Sequence, residues 1–202
     1  MWRALAVLSL LPGIAAAPTS AARPAPATAV FAGGCFWGVD AVFKHVKGVV
    51  HVVSGYAGGQ AVQPSYGQVS TGTTGHAESV EVTYDSTQVS YDQLLQVFFL
   101  VAHDPTQLDR QGPDEGTQYR SVVFYATPEQ HRAAAAAIAG LSRQHVYADP
   151  IVTQVVPLKA FYPAEAYHQN YLALHPDQPY IVYNDLPKLK RLAERFPALY
   201  QP

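Results

Sequence analysis

The chain carries one thiol. Cys35 follows Gly33-Gly34 and precedes Phe36-Trp37-Gly38. A lone cysteine is commonly a small buried hydrophobe, but this one stands where an apolar run gives way to helical spacing. At a helix start the helix dipole and unpaired backbone N–H groups favour the thiolate, so a lowered pKa is expected there. The flanking glycines admit a substrate close to the backbone. Phe36-Trp37 can wall an apolar pocket for a neutral reacting group, or simply pack into the core. The second candidate is Gly75-His76-Ala77-Glu78. A carboxyl half-buried there would keep its proton to higher pH and could donate it, whereas a solvated one would be an ordinary strand residue. His-x-Glu also occurs in zinc deaminases, which need a following Pro-Cys-x-x-Cys, yet no cysteine follows Glu78. No His-Glu-x-x-His is present. No metal site is expected, and one cysteine rules out an intramolecular disulfide framework or a Cys-x-x-Cys pair.

The elements that must position these groups are partly readable. Thr28 to Ala32 is a short apolar run stopped by two glycines, as in a buried strand. Val39, Val42, Phe43 and Val46 follow at helical spacing up to Gly48. Residues 77–84 alternate, with Glu78, Val80, Val82 and Tyr84 on one side, which reads as a strand. Ser90 caps a helix with Leu94, Leu95, Phe98, Phe99 and Val101 on its apolar face. Strands are predicted over 119–125 and 151–156. Helices are predicted from Thr127-Pro128 to about Ser142 and over 164–174, where Tyr167, Tyr171 and Leu174 are in phase. Residues 54–76 and 103–118 lack periodicity and are rich in Gly, Ser, Thr and Gln, as functional loops often are. Alternating β and α segments indicate a mixed α+β sheet fold.

At 202 residues and 49% hydrophobic, the chain can bury a core, and nothing in its interior reads as a linker, so residues 29–202 are expected to form one domain. Its 13 basic and 15 acidic residues are too balanced for binding to nucleic acid or an anionic membrane by bulk charge. Residues 1–22 have the three-part pattern of a secretory signal peptide: Met1-Trp2-Arg3, an apolar stretch from Ala4 to Ala17, and small residues up to Ala22. The apolar stretch is too short to span a bilayer permanently. Residues 23–28 form a Pro/Ala leader, so a periplasmic or secreted mature protein without a membrane segment is expected. An organellar or cytoplasmic location is the alternative.

Taken together, Gly34-Cys35-Phe36-Trp37-Gly38 and Gly75-His76-Ala77-Glu78 resemble one family, peptide methionine sulfoxide reductase A. Gly55-Tyr56-Ala57-Gly58-Gly59, Pro64-Ser65-Tyr66, Tyr84-Asp85, His103-Asp104-Pro105-Thr106, the run from Gln111 to Ser121, Phe161-Tyr162 and Glu165-x-x-His168-Gln169-x-Tyr171-Leu172 follow in the family's order. The resemblance covers about residues 30–175 and implies a two-layer α/β sandwich with a ferredoxin-like βαβ core. It further implies that Cys35 attacks the sulfoxide sulfur and ends as a sulfenic acid, that Glu78 protonates the departing oxygen, and that the S epimer is reduced. Tyr66, Asp114 and Tyr119 match residues that hydrogen-bond the sulfoxide oxygen or a site water, and Phe36 and Trp37 match the pocket for the S-methyl group. The implied substrates are oxidised proteins and peptides and free methionine sulfoxide.

In one respect the chain departs from that pattern. No recycling cysteine stands in the C-terminal tail or before Gly72. No bound cofactor is implied, and an external thiol of the thioredoxin or glutathione/glutaredoxin type must regenerate Cys35. A monomer is expected. Lys188, Lys190, Arg191 and Arg195 read as a solvated helix face, with a docking site for an acidic reductant surface as the alternative. Another Cys35-based thiol reductase or peroxidase, or a silent binder of oxidised methionine, are the alternatives. After Met1 the chain contains no methionine.

Overall fold

A computed structural model describes residues 25–202. The expected signal peptide and the first residues of the leader lie outside them. β1 (Ala27–Gly33) is buried from Ala29 onward, and the run of small and β-branched residues fits a strand covered on both faces. It leads into α1 (Phe36–Lys44), after which come β2 (Val49–Ala57), α2 (Tyr66–Val69) and β3 (Ala77–Tyr84). β3 pairs antiparallel with both β1 and β2, so β1 and β2 run parallel on either side of it and β1-α1-β2 is a split βαβ unit. α3 (Tyr91–Val97) continues into a π-helical turn, Phe98–Ala102. The hairpin β4 (Arg110–Gln111) and β5 (Asp114–Glu115) precedes β6 (Ser121–Tyr125), α4 (Pro128–Arg143) and β7 (Gln154–Pro157). β8 (Phe161–Pro163), α5 (Tyr171–Leu174) and α6 (Leu186–Arg195) complete the chain. The six-stranded sheet has the order β7-β6-β1-β3-β2-β8, with only β6 and β7 parallel. Among the described residues, no helix is long and apolar enough to cross a membrane.

The main core lies between one face of this sheet and the helices. Phe31 stacks on Phe43 and Phe98 there, with ring centroids 5.2 and 4.9 Å apart, and Val80, Val82, Leu94, Leu95 and Phe99 fill in around them. Val30, Ala32, Ala77, Val122 and Phe124 form a smaller cluster on the opposite face. The fold is thus the α+β two-layer arrangement expected. Because Val80, Val82 and Tyr84 join the main core, strand alternation points Glu78 to the same side, beneath the start of α1.

Four expectations are corrected. β2 occupies residues 49–57, so the predicted loop begins later than Ser54. Residues 117–119 form a 3₁₀ turn, and the strand starts at Ser121. β7 begins at Gln154, because Val152 instead donates its N–H to the Pro105 carbonyl at 2.8 Å. The helix over 164–174 is broken: a 3₁₀ turn, Ala166–His168, and α5 are separated by Asn170 in the left-handed conformation (φ 56°). Here Glu165, His168 and Gln169 turn inward to polar partners instead of continuing a helix.

Candidate active site

The site is built around the β1–α1 junction. Gly34 adopts φ +90°, and a Cβ there would lie 2.5 Å from Gln111, so both the turn and the packing require glycine. Cys35 caps α1 and is 8% exposed. Beneath it, Glu78 is 3% exposed and its Oε2 accepts the Phe36 N–H at 3.1 Å. This bond satisfies one of the free amides at the helix start and fixes the carboxyl beside the thiol. Burial, opposed by the Phe36 N–H and aided by Asp114, pushes the Glu78 pKa up to about 8. Glu78 is therefore a protonated acid at neutral pH.

For Cys35 the expectation of a lowered pKa is overturned. Burial raises the thiol well above its ordinary value, and the Glu78 and Asp185 carboxylates add to the rise; only the Trp37 amide and Lys188 act against it. A helix start favours a thiolate that solvent can reach, but here desolvation outweighs the amides.

Cys35, Phe36, Trp37, Tyr66, Glu78, Asp114, Tyr119 and Tyr180 line one cavity of about 180 Å³. All seven candidate residues from the sequence therefore meet in one place. Tyr66 begins α2 behind a Ser65/Gln68 capping box, and Glu165 accepts its N–H at 2.8 Å. The other Glu165 oxygen accepts from the buried Tyr56 hydroxyl at 2.9 Å. Tyr119 ends its 3₁₀ turn and lines the cavity together with Tyr66. Burial raises both phenols, as do the surrounding acids, so both hydroxyls keep their protons. Trp37 stacks on Tyr171 with ring centroids 3.6 Å apart and donates from Nε1 to His168 Nδ1 at 3.2 Å. That bond places the neutral imidazole's proton on Nε2. His168 is 2% exposed, and burial lowers its pKa.

His76, by contrast, is not part of the cavity. Its Nδ1 accepts the Gly59 N–H and its Nε2 bonds the Ala61 carbonyl at 2.9 Å, stapling the loop after β2. Among the described residues, no group of three His, Cys, Asp or Glu side chains could hold a metal ion.

Residues 27–199 match the family model described as peptide methionine sulfoxide reductase. The chain belongs to this family. A peptide methionine sulfoxide reductase, MsrA 2, of Mesorhizobium japonicum is 58% identical over 179 residues, 89% of this chain and 92% of that protein. Methionine sulfoxide reductase A of Corynebacterium diphtheriae has a solved structure 39% identical, with a TM-score of 0.72, covering 77% of each chain. Mxr1 from Saccharomyces cerevisiae in reduced form matches at 33% identity and a TM-score of 0.71, over 76% of this chain and 88% of that one. In complex with Trx2 the yeast protein matches at 23% and 0.52, a likeness of fold. This chain is accordingly an oxidoreductase acting on methionine sulfoxide.

Several residues around Cys35 were not foreseen, and the C-terminal segment supplies three of them. Tyr180 reaches the cavity, donates its hydroxyl to Asp114 Oδ2 and sets its ring edge against Trp37. Asp185 is fully buried, and Lys188, 14% exposed, bonds its Oδ1 at 3.1 Å. Lys188 is thus no part of a solvated face, whereas Lys190 is 78% exposed. Gly38 makes room for this pair, since a Cβ there would lie 2.0 Å from Asp185 Oδ1 and 2.6 Å from Lys188 Nζ. Gly38→Ala should therefore cost about 1–3 kcal/mol by overpacking and displace Asp185 and Lys188 from α1. A denaturant titration with a midpoint equal to wild type would contradict this packing. The signal for these residues was the phase of Leu186, Leu189 and Leu192, which turns Asp185 and Lys188 toward the body of the protein.

Proposed function

We propose that the protein reduces the S epimer of methionine sulfoxide, in proteins, peptides and the free amino acid, through a sulfenic acid on Cys35. The observation that carries this reading is the placement of Glu78, a buried acid protonated at neutral pH, in one cavity with the only thiol. The Cys35 sulfur attacks the sulfoxide sulfur while Glu78 donates its proton to the oxygen, which gains negative charge as its bond to sulfur breaks. Oxygen passes to Cys35, methionine leaves, and the thiol's own proton makes good the one Glu78 gave up. Cys–SH plus R₂SO thus gives Cys–SOH plus R₂S with no net proton change. Tyr66 and Tyr119, both protonated, supply further donors to the oxygen, and Asp114 completes the polar side. Phe36 and Trp37 offer an apolar wall to the S-methyl group, with Trp37 held by His168 and Tyr171. A binder without catalysis has no use for a protonated acid beside a thiol.

Regeneration then needs an outside thiol. Yeast Mxr1 has been crystallised with Trx2, which favours a dithiol protein of the thioredoxin type for this fold, and a glutathione-type thiol serves the same chemistry. We further propose that residues 1–22 direct export, so that repair takes place in the periplasm or outside the cell.

One experiment tests reaction and compartment together. The full chain is expressed in bacteria, and the shock-released fraction is assayed with dithiothreitol on separated S and R epimers of a peptide methionine sulfoxide. Reduction of the S epimer alone, in that fraction, is expected. Turnover of the R epimer would overturn the stereochemical assignment, and activity confined to the cell interior would overturn export.

A further inference from the structure

Cys35 borders two cavities. The first holds Glu78, Tyr66 and Tyr119. The second, about 260 Å³, lies between the β4–β5 hairpin and the C-terminal segment, where Gly112, Asn184, Lys188 and Arg191 border it. The two share Cys35, Asp114 and Tyr180 and no other lining residue, so the hydrogen bond from the Tyr180 hydroxyl to Asp114 stands as a partition between them. We propose that the second cavity is the access route by which the reducing thiol reaches the sulfur of Cys35, opposite the side on which the sulfoxide binds.

The inference rests on the sulfenic acid reading above and follows from the stereochemistry of sulfur. Displacement at divalent sulfur is in line, the incoming and outgoing atoms lying on opposite sides. The oxygen on Cys35 comes from the substrate and so faces the first cavity, where Glu78 can protonate it a second time and release it as water. The incoming sulfur must then arrive from the other side. Cys–SOH plus RSH gives Cys–S–S–R plus water; a second thiol, or the partner thiol of a dithiol, then displaces Cys–SH and leaves the external disulfide.

The charges agree with this division. The first cavity places Glu78, Tyr66 and Tyr119 around Cys35, and the second places Lys188, His103, Asp104 and Arg191 there, with Asp114 bordering both. His103 is held neutral by burial, its pKa lowered to about 4. Asp185 offsets Lys188, and their ion pair is buried. Arg191 is exposed and takes part in no ion pair among the described residues, while the Asp104 carboxylate on the same cavity is turned onto Thr106 and Gln107, so Arg191 is the cation an approaching thiol meets. The attacking species is a thiolate, and a small anionic thiol such as glutathione carries further negative charge. A cation at the rim favours the approach of both.

The test separates the two half-reactions. Without reductant, wild type should form about one methionine per chain in a single turnover; no methionine at all would refute the sulfenic acid reading and leave this proposal without its premise. Arg191→Glu and Asn184→Trp border only the second cavity. Arg191→Glu should leave the single turnover unchanged and slow consumption of the sulfenic acid by glutathione about threefold or more, and by 2-mercaptoethanol, whose thiolate carries a single charge, to a smaller extent. Asn184→Trp should slow both thiols while sparing the single turnover. If both variants consume the sulfenic acid at wild-type rates, or slow methionine formation as much as regeneration, the second cavity is not the route. Asn184 Nδ2 also bonds the Tyr180 carbonyl at 3.0 Å, so Arg191→Glu decides the matter if the tryptophan variant folds poorly.

Discussion

Replacing Glu78 with glutamine should lower kcat by about 10²- to 10⁴-fold, the range for loss of a positioned acid, and should change the shape of the pH profile. In the proposed mechanism the reactive form pairs a Cys35 thiolate with a protonated Glu78. Glu78 titrates at about 8, so the proton donor is lost as pH rises through that value. Cys35 lies above its ordinary value, so the thiolate is gained only as pH rises further. The two titrations are coupled, and wild type should show a bell whose limbs belong to the pair. In Glu78→Gln the falling limb disappears and the residual rate climbs with pH as the thiolate forms. Tyr66→Phe and Tyr119→Phe, each removing one of several donors, should lose less and keep the bell. A falling limb that survives in Glu78→Gln would remove Glu78 as the acid.

The same substitution has a consequence for stability. A carboxyl whose folded pKa is raised to about 8 holds a proton that the unfolded chain gives up near its ordinary value of about 4.3. Folding therefore loses stability from this group as pH rises from about 4.3 to about 8, and below that window the penalty vanishes. Glu78→Gln should gain Tm relative to wild type at pH 8.5 and not at pH 4. An acid kept neutral for catalysis is thus one the fold would hold more easily as an amide.

Cys35→Ser is expected to abolish turnover altogether, a loss of more than about 10³-fold, while the circular dichroism spectrum and unfolding midpoint stay near wild type. The proposed chemistry needs an atom that can accept oxygen and later release it to a thiol. Sulfur does this through the sulfenic acid, whereas a serine oxygen has no such oxidation state. The chain holds no second cysteine to take over. Reduction by Cys35→Ser at even a hundredth of the wild-type rate would place the chemistry elsewhere.

What could be read from the sequence was whatever depends on neighbours in the chain. Gly34-Cys35-Phe36-Trp37 fixes a turn and a helix start, and the alternation from Ala77 to Tyr84 carries Glu78 to the helical side. β2 escaped because its pairing with β3 shifts register between Val49 and His51, which breaks the period of two at the strand's start. The segment 164–174 misled because Tyr167, Tyr171 and Leu174 share a helical phase; Tyr167 and Leu174 are in fact exposed, and Asn170 turns the backbone left-handed. Tyr180, Asp185 and Lys188 come to the cavity through tertiary packing against α1; the leucine phase turns Asp185 and Lys188 inward but does not say what they meet. Burial of Cys35 and Glu78 likewise decided the direction of their pKa shifts, and burial is a property of the assembled fold.

Trp37, face to face with Tyr171 and bonded to His168, has an optical consequence. The sequence contains two tryptophans, and the other, Trp2, lies within the stretch proposed to be removed on export. In the mature chain the indole emission would then come from a single ring that borders the cavity, beside the sulfur that the proposed mechanism oxidises and reduces once per cycle. The protein would thus carry its own fluorophore, able to follow substrate arrival and sulfenic acid decay in a stopped-flow cell without any label.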